Sequence, residues 1–105
     1  MLCDILWSDP RGPNDPGDED EDFAPNERGV SYTFTKAACD HFCSRNNIDL
    51  ICRGHLVVDA GYEFYADRKL VTIFSAPNYC GLFENDGCMM KIGADLTCSF
   101  MLLKP

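Results

Sequence analysis

The sequence is poor in positive charge and has no long apolar run. Nine Lys and Arg residues stand against seventeen Asp and Glu, for a formal net charge of −8. A surface of that sign repels nucleic acid and anionic lipid, which select positive patches, so no nucleic-acid partner and no membrane partner is expected. No stretch approaches the roughly 18 apolar residues that a membrane span needs. The opening residues, Met1 to Trp7, carry neither the basic flank nor the small-residue cleavage site of a secretory signal. Seven cysteines without such a signal, an odd number, read as free thiols in a reducing compartment. The expected location is cytoplasmic or nuclear. No C-x2-C pair occurs, so zinc sites built on that spacing are excluded. Cys39 and Cys43 share one helix face and read as small buried residues.

What is present is a globular chain of one-domain length: 105 residues, 46% hydrophobic. Residues 2–7 read as a short buried strand ending at Ser8-Asp9-Pro10. Residues 10–25 hold four prolines and six acidic side chains, and cannot bury enough apolar surface to offset the cost of ordering them. They are expected to form a mobile acidic loop, with order resuming near Gly29. Val30, Tyr32 and Phe34 alternate with Ser31 and Thr33, the pattern of a strand with one buried face. Thr35 is placed to cap a helix whose Ala38, Cys39, Phe42 and Cys43 face the core, with Arg45 in its last turn. His41 falls on the opposite, solvent face.

Ile48 to Cys52 reads as the next strand. Tyr62 to Tyr65 and Leu70 to Phe74 are β-rich runs joined by the polar Ala66-Asp67-Arg68-Lys69, a hairpin signal. Cys88 to Ile92 and Leu96 to Leu103 form a second hairpin around Gly93-Ala94-Asp95. The expected fold class is α+β, mostly antiparallel and mixed strands, roughly seven of them, with one helix. One helix cannot cover both faces of so many apolar strands, which points to a part of something larger.

The residues with chemical potential sit on loops that leave strand ends. His55 follows Arg53 and Gly54 at the end of a strand, where mixed sheets place ligands, and Gly54 would let the backbone bend or a neighbour approach closely. Arg28 precedes Gly29, and its guanidinium could hold a phosphate in a two-toothed grip. Asp9 could orient a partner base, and Tyr79 offers a hydroxyl over a cleft.

Four segments in order carry a resemblance: Leu-Trp-Ser-Asp-Pro at 6–10, Asn-Glu-Arg-Gly-Val-Ser-Tyr-Thr-Phe at 26–34, Asp-Leu-Ile-Cys-Arg-Gly-His at 49–55, and Thr-Ile-Phe-Ser-Ala-Pro-Asn-Tyr-Cys-Gly at 72–81. The chain resembles the phosphoprotein phosphatases, metal-dependent serine/threonine phosphatases of the calcineurin-like metallophosphoesterase superfamily. Gly61-Tyr62-Glu63-Phe64 and the closing Cys98-Ser99-Phe100 lean towards the type-1 branch. The resemblance implies that residues 1–105 are a C-terminal part of the catalytic domain. It implies a partial metallophosphoesterase β-sandwich, the C-terminal portion of an α/β/β/α fold. It also implies hydrolysis of phosphoserine and phosphothreonine proteins by two divalent ions, manganese, iron or zinc. By position, His55 would be a metal ligand, and Arg28 would grip the substrate phosphate with Asp9 and Tyr79 lining the same cleft. Cys80 matches the thiol that microcystin-type toxins approach in relatives. Leu50, Phe64, Leu96, Cys98 and Phe100 match an apolar groove that docks short apolar motifs of regulatory subunits, and they can equally be core packing.

The sequence also departs from that family. It contains no Gly-Asp-x-His-Gly, no Gly-Asp-x-Val-Asp-Arg-Gly and no Gly-Asn-His-Glu, the segments that supply most metal ligands. At most one ligand, His55, is expected here, and the isolated chain is expected to be inactive. Glu27, Gly54 and Leu56 stand where relatives commonly have Asp, Ala and Gln. Three readings follow: an incomplete portion of a phosphatase, a non-catalytic remnant that keeps the docking groove as a binding module, and a decayed product without function.

Overall fold

The structure, a computed structural model, describes residues 1–18 and 20–105. The chain divides into two compact units, Met1–Ile51 with Tyr65–Leu70, and Cys52–Phe64 with Val71–Pro105. Among the described residues the strands are short, the sheets small and the one long helix spans Lys36–Asn46, so the α+β expectation is met.

The first unit opens with helix α1, Leu2–Trp7, where a buried strand was expected. Leu2, Ile5 and Leu6 satisfy i, i+3, i+4 spacing, and a short apolar run does not separate the two periods. The Asp4 and Ile5 N–H groups both donate to Met1 O at 3.1 Å, and Ser31 Oγ donates to Asp4 at 3.1 Å. The apolar side chains stay outside, Ile5 at 70% exposure.

Strands β1 (Asp9–Pro10), β2 (Phe23–Pro25) and β3 (Tyr32–Phe34) form a sheet ordered β1-β3-β2, parallel on one side of β3 and antiparallel on the other. The central strand presents the opposite face from the one its pattern suggested. Thr33 is buried and Tyr32 is half exposed. The hydroxyl of Thr33 accepts from Arg11 Nε at 3.4 Å and donates to Ala24 O at 3.5 Å, so its burial leaves no orphan group.

Order also resumes earlier than Gly29, because β2 lies inside the acidic stretch of residues 10–25. That stretch includes Glu19, which lies outside the described residues. Around it, Arg11 Nη1 donates to Asp18 O at 3.0 Å and to Glu21 O at 2.9 Å. One guanidinium inside an acidic segment therefore collects the carbonyls that composition alone left without partners.

Helix α2, Lys36–Asn46, starts as expected, with Thr35 Oγ1 accepting from Ala38 N at 3.2 Å. It ends at Asn47 in the left-handed region, φ 54°. Ala38, Cys39 and Cys43 are buried, whereas Phe42, expected in the core, is half exposed. His41 is on the outside, 3.5 Å from Asp22. Cys39, Ala66 and Leu70 form the core of this unit with Phe34, Ile51 and Tyr65 against them. Burial pushes the Cys39 thiol up to about 11, so it stays protonated at neutral pH.

Strands β4 (Ile51–Arg53), β5 (Tyr62–Tyr65) and β6 (Leu70–Ile73) make a sheet in the order β4-β6-β5. The expected hairpin joins β5 to β6 through Ala66, Asp67 and Arg68, all with positive φ. Lys36 pairs with Asp67 at 2.7 Å and Lys69 with Asp40 at 2.8 Å, tying the turn to α2. The hydrogen bond from Lys69, with the nearby charge, holds the Asp40 carboxyl below its usual range.

In the second unit, β7 (Gly87–Ile92) and β8 (Cys98–Leu103) form the second expected hairpin, registered from Gly87↔Leu103 to Ile92↔Cys98. Leu96 is in the turn at φ 66°, two residues before the strand begins. Gly93 N donates to Thr97 O at 2.9 Å to close it.

Candidate functional site

Asp9 and Arg28, nineteen residues apart, meet in the first unit. Parallel pairing of Asp9 with Thr33 fixes the carboxylate on β1. Arg28 sits in the turn that feeds β3, where Gly29 N donates to Asn26 O at 3.0 Å and Gly29 takes φ 76°. Arg28 Nε donates to Asp9 Oδ2 at 2.5 Å and Nη2 to Oδ1 at 3.3 Å. Asp9 is only 6% exposed, a burial that a carboxylate tolerates when charge-assisted bonds replace water.

Asn26 completes this cluster and was missed from sequence. Its Nδ2 donates to Asp9 Oδ2 at 2.8 Å, and its Oδ1 accepts from the Arg28 N–H at 3.1 Å. It therefore shapes the turn that carries Arg28 and also holds the carboxylate that Arg28 grips. The available signal was an Asn two residues before Arg28 at a turn, the position where its side chain bonds backbone two residues on.

His55, in the second unit, lies two residues past the end of β4 and is exposed, with φ 71°. The left-handed residue at this corner is thus the histidine and not Gly54. A methyl on Gly54 would meet Ile73 O at 3.4 Å, an ordinary contact. Gly54 is therefore not required for close approach, which fits the alanine common at that position in the family that the sequence resembles.

Tyr79 and Cys80 lie on a short 3-10 turn, Tyr79–Gly81, with Asn78, Cys80 and Gly81 all at positive φ. The Tyr79 ring packs edge-on to Phe74 with centroids 4.9 Å apart, and Tyr79 and Cys80 are both exposed. Behind the turn stands Asn85, 0% exposed. Its Oδ1 accepts from Tyr79 N at 3.0 Å, and its Nδ2 donates to Ala76 O at 2.9 Å and Asp86 O at 3.0 Å. Nothing in Leu-Phe-Glu-Asn-Asp-Gly distinguished this asparagine beforehand.

Of the five groove residues, Leu50 belongs to the first unit and the other four to the second. Phe64 and Phe100 meet edge-on at 5.8 Å, and Tyr62 stacks on Phe100 at 4.0 Å. Cys98 Sγ donates to Leu96 O at 3.7 Å, with both residues exposed. A cavity of about 280 Å³ lies elsewhere, lined by Arg11, Asp15, Thr35 and Tyr65 among others, and includes none of the sequence-selected residues.

Among the described residues, no group of three or more His, Cys, Asp or Glu could hold a metal ion. His55 alone does not fit a dinuclear centre. Among the same residues, no helix is long and apolar enough to cross a membrane.

Residues 2–59 match the family of calcineurin-like phosphoesterases, and the chain belongs to that family. Among solved structures it is similar to a protein serine/threonine phosphatase from Saccharomyces cerevisiae with similarity to human phosphatase PP5. The two share 27% sequence identity with a TM-score of 0.75. The match covers 95% of this chain and 32% of that one, so this chain spans well under half of that protein's length. The phosphoprotein-phosphatase resemblance drawn from the four ordered segments is borne out.

Proposed function

We propose that this chain carries the phosphate grip and one metal ligand of a metal-dependent protein serine/threonine phosphatase, a hydrolase, and that it does not turn over substrate by itself. The observation that carries this reading is the Arg28–Asp9 pair braced by Asn26, set within a calcineurin-like phosphoesterase chain. A guanidinium held to a carboxylate by two hydrogen bonds is pre-oriented, so little side-chain freedom is lost when it receives a phosphoryl oxygen. Tyr79 would offer its hydroxyl to a substrate, and His55 an imidazole to a manganese, iron or zinc ion. The remaining ligands would come from outside these residues. Substrates would be phosphoserine and phosphothreonine proteins, met in the cytoplasm or nucleus. The chain incubated with manganese and a phosphopeptide is expected to release no phosphate above the metal-only blank. Release that requires both manganese and chain would overturn the inactive reading.

The aromatic trio Tyr62, Phe64 and Phe100 favours a second reading, a binding module for regulatory subunits with short apolar docking motifs. Such motifs present alternate side chains to pockets beside a strand. A fluorescent peptide with alternating apolar residues is expected to bind the wild-type chain about tenfold more tightly than Phe100→Ala. Equal affinity would remove this reading and leave the aromatics as packing.

A further inference from the structure

We propose that Asn85 is the positioning residue for the Tyr79–Cys80 turn, setting where the hydroxyl and thiol of that turn are presented. This rests on the reading above only in giving Tyr79 a substrate-facing role.

The turn is under conformational tension. Asn78 at φ 47° and Cys80 at φ 57° are non-glycine residues in the left-handed region, with Gly81 beside them at φ 65°. Side chains in that region raise the energy of the backbone, so such a turn persists only when its surroundings over-determine it. The local bonds are few. Gly81 N donates to Asn78 O at 2.9 Å, and Leu82 N and Phe83 N both donate to Tyr79 O, at 3.1 Å and 3.2 Å. All three would close a turn of this kind in any orientation relative to the sheet.

Asn85 supplies the missing orientation. It is fully buried, and its amide uses both ends: Oδ1 on the Tyr79 N–H, Nδ2 on Ala76 O and Asp86 O. Its backbone carbonyl accepts from Asn78 N at 2.9 Å. The residue thus touches the turn at Ala76, Asn78 and Tyr79. It is anchored in turn by the segment that follows it. Asp86 N donates to Asp59 O at 2.8 Å, and Cys88 N to Phe74 O at 2.8 Å. Gly87 presses on the same loop, since a methyl there would lie 2.7 Å from Ser75 O. A buried amide with this division of labour has no isosteric replacement: aspartate keeps the acceptor for Tyr79 but loses the donor to Ala76, and alanine loses both.

The experiment reads the turn through Cys80 and so does not depend on phosphatase activity. Iodoacetamide labelling of the full chain, quantified cysteine by cysteine, uses exposed Cys98 as internal reference and buried Cys39, Cys43 and Cys88 as reporters of global opening. In Asn85→Ala the Cys80-to-Cys98 rate ratio is expected to change by about tenfold, the scale of lost loop hydrogen bonds, while the buried thiols stay protected. An unchanged ratio with the buried thiols protected would overturn the proposal. If the variant unfolds and all seven thiols react, a second measurement on wild-type chain decides. The Tyr79 amide, bonded to Asn85, is expected to exchange its hydrogen at least about tenfold more slowly than the exposed Glu84 amide, after correction for intrinsic rates. Equal exchange would also overturn the proposal. Loss of the phosphatase reading, by contrast, would leave both results unchanged and remove only the substrate-facing role of Tyr79.

Discussion

Replacing Arg28 with alanine is expected to destabilise the chain by about 3 kcal/mol, read as a lowered urea midpoint at unchanged slope. The magnitude follows from what the substitution leaves behind. Asp9 is 6% exposed, and its carboxylate would keep the Asn26 amide at 2.8 Å but lose the neighbouring positive charge. Removing one partner of a buried pair costs more than the pair contributes, because the survivor remains out of water. The reverse change, Asp9→Asn, is expected to cost less, about 1 kcal/mol, since the Arg28 side chain is 30% exposed and can turn to solvent. The double variant Asp9→Asn/Arg28→Ala is then expected to be more stable than Arg28→Ala alone. A double-mutant cycle measures this coupling directly. If Arg28→Ala moved stability by less than about 0.5 kcal/mol, the pair would be behaving as a solvated surface contact. The rigid grip behind the proposed phosphate-binding role would then be absent.

That pair also marks how far the sequence could be read. Asp9 and Arg28 were each legible as polar residues on loops leaving strand ends. Their meeting was not, because it depends on the parallel pairing of Asp9 with Thr33, which no local pattern announces. The Thr35 cap, the hairpin at 66–69 and the existence of a hairpin around 93–95 were legible for the opposite reason, although its second strand begins at Cys98 and not at Leu96. Each is decided within a handful of residues, by a hydroxyl before a helix or a polar break between β-rich runs. Thr33 shows the limit of periodicity. Alternation says that one face is buried, and the partner of the buried hydroxyl, Arg11, says which. Helix α1 failed as a strand because six residues support both periods, and among the described residues no strand pairs with it. Asn26 and Asn85 did not stand out as functional candidates, since asparagine is common in turns and the turn signal at Asn26 says nothing of Asp9. What sets them apart is the distance of their bonds, to residues seventeen and nine positions away.

Gly61→Ala is expected to be the most disruptive single-methyl change in the second unit, and Gly29→Ala is its control. Both glycines have nearly the same backbone, φ 78° at Gly61 and φ 76° at Gly29. An alanine at either must accept the left-handed region, at about 1–2 kcal/mol. Their surroundings differ. At Gly29 a methyl would meet nothing within 4 Å. At Gly61 it would lie 2.8 Å from Gly87 O and 2.9 Å from Cys88 Cβ, distances that real side chains do not show. The obstacle is backbone and a buried cysteine, so no flexible side chain can swing aside. The strand segment at Gly87–Cys88 would have to move, and with it the Cys88 N–H bond to Phe74 O at 2.8 Å. Overpacking adds about 1–3 kcal/mol to the conformational term, for an expected total near 4 kcal/mol at Gly61 against about 1 kcal/mol at Gly29. Paired urea melts of the two variants separate the contributions, because the φ term is common and cancels in the difference. A difference under about 1 kcal/mol would mean that the strand yields at little cost. Because Gly87 also presses on the loop at Ser75, the same displacement should alter Cys80 labelling in Gly61→Ala but not in Gly29→Ala. The close approach at Gly61 is therefore tied to the turn that carries Tyr79 and Cys80, whereas the freedom at Gly29 serves only the turn that carries Arg28.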